Sequence, residues 1–237
     1  MKEKIINIIK LGISLILFFS IGIISGFILK MFNIDVNIIK EKYMVYYQFI
    51  VSFILFIILL IMYFKYIKKD YCDFKKNIVK NIKSILKLFI IFIIVKFIVS
   101  FVTMLIVSLL GMDIESITSV NQETIIEYIK VAPILMAFTT SLFGPFYEEI
   151  LFRLGFKKAL KKGIIFVLIS GLIFGVMHVF PLDDEVSLLL GIIQSINYVT
   201  MGIFLAYIYN KSDNIFISIG VHFLNNFLSV LTMINML

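Results

Sequence analysis

Cysteine, proline, tryptophan and arginine are almost missing from this chain of 237 residues. The single cysteine, Cys72, excludes an internal disulfide and argues against redox chemistry. Three prolines in the whole length leave no linker that would divide the chain, so 1–237 reads as one domain. Charge is scarce as well, at 16% of residues against the usual share of about 25%. There are two histidines, and Arg153 is the one arginine among 22 basic residues.

What fills the space is hydrocarbon: 61% of residues are hydrophobic and the mean hydropathy is +1.08. A bilayer core about 30 Å thick needs roughly 20 mostly apolar helical residues to cross it. Seven stretches meet or approach that, near 5–31, 44–64, 84–112, 131–153, 163–182, 186–209 and 214–236. Only helices satisfy their backbone within a single segment in lipid, and no alternating barrel pattern is present. The expectation is an all-α, polytopic transmembrane helical bundle of about seven spans, or eight if a long segment is split. The first 30 residues are basic and then apolar, without a small-residue cleavage site, and read as an uncleaved span.

The net charge of +7 comes from lysines that fall in loops, so it speaks for membrane orientation and against a nucleic-acid partner. Lys2 and Lys4, the cluster from Lys65 to Lys83, the group Lys157, Lys158, Lys161 and Lys162, and Lys211 alternate on one side. Asp113, Glu115, Glu123, Glu127, Asp183, Asp184 and Glu185 take the other, while Lys30, Lys40 and Lys42 run against the bias. A cell-membrane protein with a cytoplasmic N-terminus follows. The segment 113–130 reads as a solvated loop or a short amphipathic lid.

Ionisable residues inside apolar spans are costly and tend to mark function. Lys10 lies near a span end and can snorkel. Lys96 lies deeper and reads as a structural residue that pairs with an acid or reaches the interface. The remaining five come with spacing. Glu149 and Arg153 are four apart and share a helix face, where the guanidinium fork matches a carboxylate. Glu148 points about 100° away, free of that pair. His178 ends the run FGVMH, and His222 opens HFLNN, which puts Asn226 on its face. Glu148 and His178 each lie 15 residues from Gly163, so antiparallel helices would bring them to equal depth. Ser141, Ser170 and Ser218 read as packing residues.

A carboxylate beside a histidine can activate water, and a histidine with an amide can stabilise an oxyanion. The HExxH zinc motif is missing, although two histidines and a glutamate (Glu148, His178, His222) remain a possible zinc set. The three motifs EEILFR (148–153), FGVMH (174–178) and HFLNN (222–226), in that order, resemble those of the CPBP family. That family comprises CAAX prenyl proteases and bacterial bacteriocin-processing or Abi proteins. The resemblance covers about 130–230.

It implies an intramembrane endopeptidase that acts on a peptide or membrane-protein substrate, in peptide processing or self-immunity. Glu148 and His178 would activate the water, His222 and Asn226 would form the oxyanion pocket, and Glu149 and Arg153 would hold the site together. A glutamate-type reaction without cofactor is favoured, with zinc as the alternative. A non-catalytic peptide-binding immunity protein and a proton-coupled transporter are the competing expectations, though no repeated halves favour the transporter.

Overall fold

The computed structural model describes residues 2–31, 41–112, 120–180 and 188–236. The expected loops around Lys40, Asp113, Glu115 and Asp183–Glu185 lie outside the described residues. Everything regular in the described residues is helical. Long runs of Ile, Leu and Phe without proline build α1 (Lys2–Met31), α2 (Glu41–Lys76) and α3 (Ile78–Leu109). After α4 (Val120–Val131), Pro133 opens a run, 133–160, that we call α5. Proline is suited to the first turn of a helix, where its missing N–H has no partner to lose. Then come α6 (Ile164–Met177), α7 (Leu188–Ser212) and α8 (Ile215–Met236).

Five of these helices, α1, α2, α3, α7 and α8, are long and apolar enough to cross a bilayer, fewer than the expected seven. The differences sit on either side of Gly163. α6 has only 14 residues, and α5 alternates between α-helical and π-helical turns. α5 also continues to Leu160, so Lys157 belongs to a helix and is buried, where the sequence suggested a loop. The segment expected to be a loop or lid is, from Val120 on, the helix α4, which packs against α2, α5 and α8 with Ile129 fully buried. Large apolar side chains such as Ile23 and Phe97 face outward, as a lipid-exposed surface requires.

The two π-helical stretches of α5 are Thr139–Phe143 and Glu149–Gly155. Between them lies Pro145, which cannot donate to the carbonyl one turn back and whose ring crowds it. A widened turn in front of the proline accommodates both defects. Such turns recur at functional sites because they re-aim side chains without ending a helix.

One end of the bundle is fastened by polar groups. Lys157 and Lys162 both pair with Asp213, at 2.5 and 2.6 Å. The side chain of Asn214 caps α8 by accepting from the Phe216 N–H, and Asp70 of α2 accepts from the Ile215 N–H. Capping amides and carboxylates satisfy the free N–H groups of a helix start. The ends of α2, α5 and α7 thus gather on one side, as the alternation of lysines anticipated. Burial pushes the Asp213 carboxyl up, but the hydrogen bonds from Lys157 and Lys162 outweigh it and hold the group below its ordinary value.

The closest approach is between α6 and α7. A Cβ on Gly171 would collide with Ile203, one on Gly175 with Val199, and one on Gly202 with the Gly171 carbonyl. Small residues at such a seam let two backbones touch, the usual device for helix association in lipid.

Gly175→Leu should lower stability by about 1–3 kcal/mol or more, the cost of overpacking, while Gly22→Leu, with open space around it, should not. Thermal unfolding in detergent reads the difference. Asp213→Asn should lower the unfolding midpoint at neutral pH. Because the folded-state value is depressed, that loss should be full above the unfolded value of about 4 and vanish only as the pH falls through the lower folded value, where the carboxyl protonates in the folded parent too.

Candidate active site

Three helices converge on the π-helical part of α5. Glu148 Oε2 lies 4.0 Å from His178 Nε2, at the end of α6, and 3.7 Å from His222 Nε2, on α8. Glu149 turns the other way. Its Oε1 is 3.1 Å from His222 Nδ1 and its Oε2 is 3.3 Å from Arg153 Nε. Glu149 and Arg153 are fully buried and His222 nearly so. The neighbouring carboxylates therefore divide as their rotation on the helix suggested, one held by the arginine and one left facing the imidazoles.

The arginine is held from several sides. Its Nη1 donates to Ser170 Oγ at 3.1 Å, and Ser170 in turn donates to the Phe152 carbonyl at 2.5 Å. The guanidinium carbon stands 4.6 Å from the centre of the Phe174 ring. Ser170, expected to be a packing residue, is thus the link between α6 and the ion pair. Phe174 has a second task, because its carbonyl lies 2.7 Å from His178 Nδ1. Tyr198 of α7 stacks on the His178 ring, 4.9 Å between ring centres.

These partners set the tautomers. A carbonyl only accepts, so His178 Nδ1 carries the proton and its Nε2 is bare when the ring is neutral. The same argument applied to the Glu149 carboxylate leaves His222 Nε2 bare. A carboxylate oxygen and two ring lone pairs then face one another, and Glu148 Oε2 is buried without a hydrogen-bond partner among the described residues. Two ring acceptors 3.7 and 4.0 Å from a carboxylate oxygen repel it unless a proton donor or a cation lies among them. A water molecule fits by chemistry, since it can donate to two of the three. Zinc fits by donor type, and both Nδ1 atoms have the oxygen partners that metal-bound histidines usually have. The separations are wider than the edge of about 3.3 Å that bonds of 2.0–2.1 Å imply for tetrahedral zinc.

Asn226 is less free than expected. Its Nδ2 donates to the Thr140 carbonyl at 3.0 Å and its Oδ1 accepts from Asn225 at 2.9 Å. One N–H of its amide remains for a ligand. These groups line a cavity of about 540 Å³, within the range of small-molecule and peptide-segment sites. Its wall includes Gln48 and Ser52 of α2, Lys96 and Ser100 of α3, and Gln122 of α4. The motifs alone placed the site within 130–230, but α2 and α3 complete it. A signal was available: Lys96, Ser100 and Met104 recur every fourth residue on one face of the mostly apolar later part of the helix. Expected to pair with an acid or reach the interface, Lys96 pairs with no acid among the described residues, and its Nζ donates to Asn225 Oδ1 at 3.1 Å.

Known proteins resemble the part of the chain that carries the motifs. Residues 130–228 match the family model described as Type II CAAX prenyl endopeptidase Rce1-like. A Bacillus subtilis (strain 168) protein named "Putative membrane peptidase YdiL" is 35% identical over 111 residues, 46% of this chain and 41% of that protein. The chain thus aligns with less than half of the length of that relative. No solved structure matches. The stretch 130–228, which holds the converging carboxylates and imidazoles, is thus similar to the Rce1-like CAAX prenyl endopeptidase family.

Proposed function

We propose that the protein is an intramembrane peptidase in which Glu148 activates the hydrolytic water. The observation that carries this reading is the Glu148 Oε2 atom, buried, without a hydrogen-bond partner among the described residues and facing two imidazole Nε2 atoms. A water held there loses a proton to the carboxylate as its oxygen attacks a peptide carbonyl. A general base so placed contributes about 10²–10⁴-fold. His178, its Nδ1 tied to a carbonyl, aligns the water through the bare Nε2. His222 also presents a bare Nε2 in its neutral form. It can donate to an oxyanion only as an imidazolium, and the Glu149 carboxylate at 3.1 Å is placed to offset that charge. The remaining N–H of Asn226 supplies the neutral donor. Departure of the amine takes back the proton from Glu148.

Zinc, if bound, would be held by Glu148, His178 and His222 and would supply Lewis-acid activation of the same water. The separations of 3.7 and 4.0 Å from Glu148 Oε2 favour water alone. Amides along the cavity complement a peptide backbone, so the substrate we assign is a peptide segment entering from the membrane. The lysine-bearing end of the bundle is assigned to the cytoplasm.

Purified protein in lipid nanodiscs, given fluorogenic apolar peptides, should cleave a subset of them. Glu148→Gln should lower kcat about 10²–10⁴-fold with the fold retained. A wild-type rate equal to that of the variant would refute the assignment. Treatment with a chelator should leave activity intact; loss restored by zinc would move the reading to metal catalysis. Arg153→Met should instead destabilise the fold by about 3–5 kcal/mol, because it strands a buried carboxylate, and unfolding in denaturant measures this.

A further inference from the structure

Lys96 is the 19th residue of the 32 in α3, so it lies near the middle of the helix, with the other lysines of α3 confined to its first ten residues. An ammonium at that depth is costly, and it usually has a counter-charge or a function. Among the described residues no carboxylate oxygen comes within 4.0 Å of its nitrogen. Its one hydrogen bond among those residues goes to the neutral amide of Asn225. An ammonium has three N–H donors, so two remain, on a side chain that lines the cavity.

The position relative to the reacting groups is fixed by α8. Asn225 follows His222 by three residues, a displacement of about 4.5 Å along the helix. The charge therefore stands about one helical turn from the imidazole that faces Glu148. An extended peptide advances about 3.3–3.6 Å per residue. A group held by Lys96 would belong to a residue within a few positions of the bond at Glu148. Resting on the reading of this cavity as a peptide site, we propose that Lys96 is a specificity-determining receptor for a carboxylate of the substrate. The two unspent donors match the two oxygens of a carboxylate, which a neutral amide would satisfy less well. That carboxylate comes from an acidic side chain near the cut or from the free end of the peptide.

The test uses the full chain in nanodiscs with Glu148→Gln, so that binding is read without turnover. Four fluorescent apolar peptides of one sequence are compared by anisotropy: free acid end, amidated end, and amidated versions with one internal Glu or Gln. Lys96→Met, which keeps most of the stem, should weaken a carboxylate-bearing peptide at least tenfold and leave its neutral partner within twofold. Whether the free-acid or the Glu peptide responds identifies the source. Lys96→Arg should retain the preference and serves as the control for folding, with thermal midpoints measured for each variant. Equal losses for all four peptides, no loss for any, or no binding of any peptide would overturn the assignment. Cleavage by protein with Glu148 intact is followed separately. Carboxylate-selective binding without cleavage leaves Lys96 standing and removes the peptidase reading; cleavage indifferent to Lys96 does the reverse.

Discussion

The buried ion pair between Glu149 and Arg153 is the constraint on which the site depends. Neither group can stay charged at zero exposure without the other. Together they fix the rotation of α5, which decides where Glu148 points. They also reach both neighbouring helices, α6 through Ser170 and Phe174 and α8 through His222. A charge pair of this kind adds little net stability compared with apolar packing, but it tolerates few alternative arrangements. That explains why the one arginine of a lysine-using chain is found here. Lysine has no fork with which to hold a carboxylate, a serine and an aromatic face at once.

Much of the centre was legible from spacing. Glu149 and Arg153 are a four-residue pair, Glu148 is rotated away from them, and the equal distances of Glu148 and His178 from Gly163 anticipate their meeting. These are local helical relations, and helix geometry carries them from sequence to structure with little loss. The partner of His222 was not legible. Its spacing to Asn226 suggested a two-residue oxyanion pocket, yet its Nδ1 is taken by Glu149 from another helix. Contacts between helices depend on crossing angle and rotation, which one sequence does not encode in any local pattern.

The misjudged elements share a cause. Hydropathy alone reads α5 and α6 as two ordinary spans, but Pro145 and the π-helical turns alter one and length limits the other. Segment 120–131 is too polar to register as a span, and its helix is stabilised by packing Ile129 against α5 and α8 rather than by its own propensity. Lys96 was placed with structural residues because one lysine in one helix has no local partner. Only the assembled wall of α2, α3 and α4 shows that it borders the same cavity as the histidines.

The glycine seam between α6 and α7 has a mechanical meaning. Where Gly171, Gly175 and Gly202 bring two main chains into contact, sliding or rotation would drive side chains into backbone. The pair behaves as a single stiff plate, with His178 at the end of one helix and Tyr198 on the other. Any breathing that admits a large guest has to occur along the opposite wall, where α2, α3 and α4 meet the void through ordinary side chains.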